Sequence, residues 1–202
     1  MSDDGSIIVV SGLPRSGTSL MMQMLDAGGV PVLTDELRAP DESNPRGYFE
    51  LDAVKKLRTD SGWLEQARGQ AIKVIHLLLR ELPVDGRFSY RVIFMRRAMN
   101  EVLASQRKML QRAGKAAADD AVLAKVFEAQ LAQVRGWLTA QPSFSVLEVE
   151  HGSLLEEPRA SAETIAGFLG RELDTERMAA AVDPDLYRER LTNRRRGGET
   201  LV

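Results

Sequence analysis

Apolar residues follow one another along this chain in two alternating rhythms. Residues 7–10 are an unbroken β-branched run, Ile7, Ile8, Val9 and Val10, bounded by a polar start and by Ser11 and Gly12. Such a run suits a strand buried on both faces. After a loop of Gly, Ser and Pro, Leu20, Met21, Met24 and Leu25 recur at helical spacing until Gly28 and Gly29 stop them. Short apolar runs return at 71–75, 90–95 and 144–149, with a weaker one at 30–33. Between them, residues 100–111 set Val102, Leu103, Met109 and Leu110 on one helical side. Residues 119–141 do the same with Val122, Leu123, Val126, Phe127, Leu131, Val134, Trp137 and Leu138, and shorter helical patterns follow at 161–169 and 174–182. Strands alternating with helices predict an α/β fold in three layers: a mostly parallel central sheet of about five strands, flanked by helices.

Two stretches break the rhythm. Residues 34–47 read as a loop, with Pro40, Pro45 and several acids, and residues 114–120 as an Ala-Gly-Asp hinge. The hinge and the helix after it, 114–141, are expected to behave as a lid. The basic, glycine-bearing tail, 193–202, reads on composition as a disordered end. With 202 residues and no internal repeat, a single domain over 1–202 is expected.

Composition narrows the chemistry. The chain has no cysteine, which excludes disulfides, thiolate metal sites and a cysteine nucleophile. Its net charge of −2 argues against a nucleic-acid partner. No apolar stretch approaches the ~20 residues of a membrane span, and the acidic start does not read as a signal peptide, so a cytoplasmic protein without membrane attachment is expected. Of the 27 cationic residues 21 are Arg; a guanidinium fork suits bidentate recognition of phosphate and sulfate, although composition bias also yields such an excess.

The loop from Gly12 to Ser19 differs at one position from G-x-x-x-x-G-K-[ST]: Thr18 stands where that pattern has its lysine. That lysine reaches the β- and γ-phosphates of a nucleoside triphosphate. The remainder of the device is intact, because glycines let backbone N–H groups curl around an anion and the following helix directs its positive end at it. The nearest cation is Arg15, three positions upstream. The loop therefore reads as an anion cradle lacking the triphosphate-sensing lysine.

Leu13, Pro14, Arg15, Ser16, Gly17, Thr18 and Ser19 resemble the 5′-phosphosulfate loop, P-[KR]-[ST]-G-[TS]-[TS], of sulfotransferases that use 3′-phosphoadenosine 5′-phosphosulfate (PAPS). A second segment adds to the resemblance: the run 90–97 ends in Arg97, and Ser105 follows eight residues later, the spacing of that family's 3′-phosphate signature. Arg96 would be one residue out of register. The tail residues Arg195, Arg196 and Gly197 resemble the family's R-K-G, without the Gly-Asp-Trp that usually comes next. A weaker, structural match runs from Glu150 to Pro158 and on to Phe168, Leu169 and Gly170. The resemblance implies a sulfotransferase with PAPS as donor and no metal. Arg15, Ser16, Gly17, Thr18 and Ser19 would hold the 5′-phosphosulfate, Arg97 and Ser105 the 3′-phosphate, with Arg195, Arg196 and Gly197 folding back onto it. Where the family often has an aromatic residue for adenine, this chain has Leu20.

Transfer to a hydroxyl or amine needs a base, and His is the side chain that titrates near neutrality unperturbed. The chain has two, His76 and His151. His76 follows Lys73 by three residues and precedes Leu82 and Pro83, which resembles the family's K-T-H-L strand end with Leu-Pro beyond it. His76 and Lys73 are thus candidate catalytic residues, together with Arg15, which the resemblance implies would stabilise the charge developing on the oxygen bridging phosphorus and sulfur. Glu50, after the Pro-Gly loop 44–49, is the carboxylate alternative, and His151 is expected to be surface structure. The implied partner is a small-molecule acceptor, whose identity and the oligomeric state the sequence leaves open. A kinase-like enzyme with a degenerate phosphate loop, or a nucleotide-binding module without catalysis, are the competing readings.

Overall fold

Four parallel strands in the order β2-β1-β3-β4 carry the fold: β1 (Ile7–Gly12), β2 (Ala71–Lys73), β3 (Tyr90–Arg96) and β4 (Phe144–Glu150). This computed structural model describes residues 5–35, 37, 41, 44 and 46–183. Six α-helices are present among the described residues: α1 (Thr18–Ala27), α2 (Met99–Arg112), α3 (Asp120–Thr139), α4 (His151–Glu156), α5 (Pro158–Leu169) and α6 (Thr175–Ala180). The sheet has four strands rather than about five. Residues 30–33 contribute only an isolated parallel bridge, Val32 to Ala71. Pro31 explains the shortfall: its carbonyl accepts from Ala71 N–H at 2.8 Å, but it has no N–H to extend a ladder.

Strand alternation divides the core into two sides. Ile8, Val10, Ile93 and Met95 face α1, α4, α5 and α6, burying Met21, Met24, Leu25, Leu154, Ile165 and Met178. Ile7, Val9, Val92 and Phe94 face the other way, against Val134 and Leu138 of α3 and the 3₁₀ turns before and after β2. With both faces covered, every residue of β1 is buried, which is why its sequence shows no alternation. A smaller cluster of Leu13, Val102, Leu103 and Phe127 ties the loop after β1 to α2 and α3.

Helix ends follow local chemistry. Asp119 caps α3, its carboxylate accepting from Ala121 N–H at 2.9 Å and Val122 N–H at 3.0 Å. Pro158 opens α5 and Gly170, at φ 62°, closes it. The expected lid is therefore an exposed connection before a capped helix whose Phe127, Val134 and Leu138 are buried. The candidate residues Arg195, Arg196 and Gly197 lie outside the described residues.

Parallel pairing matters most at the carboxyl ends. Gly12 is level with Met95, and Arg96 with Glu150. The residues just beyond these positions meet along one edge of the sheet, where open α/β sheets bind ligands.

Candidate functional site

The turn from β1 into α1 depends on two glycines. At Gly12, φ is 147°, and a Cβ would come within 2.5 Å of Ser16 Oγ and 2.6 Å of the Met95 carbonyl. At Gly17, φ is 101°, and a Cβ would sit 2.4 Å from Cδ2 of His151. Both positions combine left-handed backbone with absent space, so no other residue fits without rearrangement. Gly17 is also the N-cap of α1, without a side-chain cap. The first-turn N–H groups thus face the loop's concavity, an arrangement suited to an anion. Ser16 is buried, and its hydroxyl has no hydrogen-bond partner among the described residues. A buried hydroxyl left so is unusual, and an anionic oxygen in the cradle would satisfy it. Arg15 holds φ at 70°, uncommon for a residue with a side chain and characteristic of ligand loops.

Arg97 and Ser105, 82 and 90 residues further on, meet this loop directly. Arg97 Nη1 donates to the Arg15 carbonyl at 3.1 Å, and Arg15 Nε donates to Ser105 Oγ at 3.0 Å. Arg97 Nε also donates to Glu101 at 2.9 Å, within an ion pair whose side chains are 9% and 11% exposed. Glu101 thus sets the angle of the Arg97 fork, a role the sequence did not suggest. Its signal was available, four residues after Arg97 on the same helical face. Arg96 faces elsewhere, pairing with Glu148 and Glu150 at the surface. A cleft of about 430 Å³ opens beside Arg97 and Ser16, floored by Leu13, Met95 and Leu131.

Lys73 approaches from β2. Its Nζ donates to Ser19 Oγ at 3.1 Å and to the Tyr48 carbonyl at 2.9 Å, with Glu50 Oε1 at 3.8 Å. A cation thus reaches the first turn of α1 from a neighbouring strand, although Thr18 stands where a phosphate loop has its lysine. The main chain at Glu50 is held by a side chain: Thr34 Oγ1 donates to the Glu50 carbonyl at 2.8 Å.

His76 begins the 3₁₀ helix His76–Glu81 after β2, and is 2% exposed. Its Nε2 donates to Gln130 Oε1 of α3 at 2.9 Å. That bond places the proton on Nε2, leaving Nδ1 as the lone-pair nitrogen with no partner among the described residues. α3 touches the phosphate loop as well, because Phe127 packs against Leu13.

His151 corrects an expectation. Rather than surface structure, it is 7% exposed and lies against Gly17. Burial pushes its imidazole down to about 4, and the Arg97 guanidinium acts in the same direction. A neutral ring therefore supports the loop at physiological pH. Its placement at the end of β4, level with the ends of β1 and β3, was the one sequence signal for it.

A family model described as "Sulfotransferase domain" matches residues 5–184. Among solved structures, the chain is similar to the sulfotransferase domain from the curacin biosynthetic pathway (TM-score 0.54, 14% identity, covering 92% of this chain and 90% of that one). It is also similar to the sulfotransferase domain of the Synechococcus PCC 7002 olefin synthase (TM-score 0.55, 15% identity, 93% and 81%). At these identities the likeness is one of fold. No curated protein sequence matches the chain significantly.

Proposed function

The chain belongs to the sulfotransferase domain family, and on that premise we propose that it moves a sulfuryl group from PAPS to a hydroxyl or amine of a small acceptor. The observation that carries this reading is the pair of hydrogen bonds Arg97–Arg15 and Arg15–Ser105, which joins the two anion grips. A donor phosphorylated at both ends of an adenosine needs two such grips side by side. A nucleoside triphosphate needs a single longer one with a lysine at its end.

In this reading the N–H groups of Gly17, Thr18 and Ser19 and the Ser16 hydroxyl hold the 5′-phosphosulfate. Arg97, aligned by Glu101, and Ser105 hold the 3′-phosphate through charge-assisted bonds. Arg15 leaves Ser105 and turns to the oxygen bridging phosphorus and sulfur, where negative charge develops. Lys73, beside Ser19, faces the sulfuryl oxygens. The acceptor oxygen or nitrogen bonds to sulfur as the bridging S–O bond breaks. The acceptor's proton passes to Nδ1 of His76, whose tautomer Gln130 fixes, and the bridging oxygen departs with the 5′-phosphate. No step in this reading requires a metal.

The test is a pair of melting scans followed by radiolabelled transfer. Saturation with 3′-phosphoadenosine 5′-phosphate (PAP) at ~100 times its dissociation constant should stabilise the protein by roughly 2.7 kcal/mol, with no comparable response to ATP and magnesium. Radiolabelled sulfate from PAPS should then appear on an alcohol, phenol or amine. Stabilisation by ATP alone would reverse the reading.

A further inference from the structure

Among the described residues only two with a side chain hold a left-handed backbone, Arg15 in the loop after β1 and Phe49 at φ 52°. Such a conformation costs free energy and persists where its surroundings over-determine it. The anion loop accounts for Arg15. Phe49 lies elsewhere, in the irregular segment between α1 and the first 3₁₀ turn before β2. The φ of a residue sets the tilt of the peptide group that precedes it. For Phe49 that group carries the Tyr48 carbonyl, which accepts from Lys73 Nζ at 2.9 Å. With the flanking Cα positions kept, the usual negative φ would turn this carbonyl through more than a right angle, away from the ammonium.

The corner is pinned from several sides. The Phe49 ring packs on the core that α1 covers. Tyr48 is buried, and its hydroxyl donates to Asp41 at 2.8 Å. Just before it, Gly47 at φ 93° makes a turn that glycine takes without cost. Arg46 ties the same corner to the end of α6, donating to the Ala181 carbonyl at 2.6 Å. Together these restraints hold one peptide group in one orientation.

What the orientation achieves is visible at Lys73, whose side chain is 10% exposed. Its ammonium donates to the Tyr48 carbonyl and, at 3.1 Å, to Ser19 Oγ in the first turn of α1. A carbonyl directs an ammonium without cancelling its charge, whereas a bonded carboxylate does both. Glu50 Oε1 stays at 3.8 Å, beyond hydrogen-bond distance.

We propose that Phe49 and Tyr48 are positioning residues for the donor's sulfuryl group: the left-handed backbone at Phe49 aims the Tyr48 carbonyl, and that carbonyl aims Lys73 across Ser19 at the sulfuryl oxygens. The proposal rests on the sulfotransferase reading and adds to it the device that tells donor from spent product. PAPS and PAP share both phosphates, and PAPS alone has the group that Lys73 faces. The strain at Phe49 thereby serves discrimination between the two.

The experiment measures PAPS and PAP affinities side by side by calorimetry, on the full chain and its variants, and reads the ratio of the two. Phe49→Val, whose branched side chain opposes a left-handed φ, should weaken PAPS roughly 10- to 100-fold, as for a lost hydrogen bond to a charged group, with a much smaller change for PAP. Phe49→Gly accepts φ 52° freely and should keep most of the ratio, although it removes the ring from the core. Lys73→Met should lower the ratio as far as Phe49→Val does. Packing alone predicts the opposite order for the two Phe49 variants, since valine fills more of the ring's space than glycine. PAP binding certifies that each variant folds; where Phe49→Val loses it, Phe49→Ala against Phe49→Gly decides by the same ratio. Failure of the unmodified chain to bind PAP would defeat the donor reading, and the proposal with it. With PAP bound, a ratio kept by Phe49→Val, lowered equally by Phe49→Gly, or kept by Lys73→Met would overturn the positioning role alone.

Discussion

The two ends of the site are built on different terms. At the donor end, Gly12, Ser16 and Gly17 belong to one short loop, and Arg97, Glu101 and Ser105 to one strand-to-helix turn. The two pieces are joined by hydrogen bonds of 3.0 and 3.1 Å and supported from below by a buried His151. At the acceptor end, His76, Lys73, Glu50 and Gln130 come from four separate places. Glu50 is 35% exposed and its distance to Lys73 is 3.8 Å, while α3 arrives after an exposed connection. On the proposed reading, the half that meets the donor is drawn from two short segments, because the phosphates it would hold have a fixed geometry. The other half is assembled from four separate segments, and Lys73, bonded to Ser19, ties it to the first.

The comparison breaks most sharply at the base. Replacing His76 by Asn should lower kcat by about 10²–10⁴-fold while PAP affinity stays as it was, measured by radiolabelled transfer and calorimetry side by side. Glu50→Gln is the control that decides between the two candidates. If it produces the large loss and His76→Asn does not, the proton goes to the carboxylate. At the donor end, Arg97→Ala should weaken PAP binding by about 2–3 kcal/mol, because a nearly buried guanidinium that would bond a dianion is removed. Binding of 5′-AMP, which lacks the 3′-phosphate, should change much less; equal losses for the two ligands would place Arg97 outside the 3′ grip.

A smaller effect sharpens the comparison through pH. His151 titrates near 4 in the folded chain and near its ordinary value of 6.5 when unfolded. Between those values the unfolded chain binds the extra proton, so stability from this residue is complete above pH 6.5 and declines as pH falls towards 4. The loss should reach about 3 kcal/mol at the lower limit. Denaturant titrations of the wild type and His151→Asn across that window should differ in slope, with the variant flatter; parallel slopes would mean that the ring is not buried neutral beneath Gly17.

Much of the cluster around the β1–α1 loop was legible before any coordinates. The glycines, Arg15 and the hydroxyls from Ser16 to Ser19 are covalent neighbours, and Arg97 with Ser105 is a spacing within one strand-turn-helix unit. Local order carries such information. The partners that hold these groups were not legible in the same way. Gln130 stands 54 residues from His76, and the Gly17–His151 contact spans more than half of the chain. The helix from 119 to 141 was visible as an apolar pattern, yet that pattern merged its buried side, Phe127 and Val134, with its exposed one, Val122 and Val126. The expected fifth strand failed for a local reason, Pro31.

By itself the sequence determined a parallel α/β sheet, a glycine-bearing loop between its first strand and helix, and an arginine and serine eight residues apart. These follow from backbone sterics and short-range periodicity, which act within a few residues. Tertiary structure alone decided that Arg97 would bond the Arg15 carbonyl, that His151 would be buried against Gly17, and that Gln130 would set the tautomer of His76. Those outcomes depend on which strand lies beside which and on how the helices pack over them, and apolar burial fixes both only when the whole chain has folded.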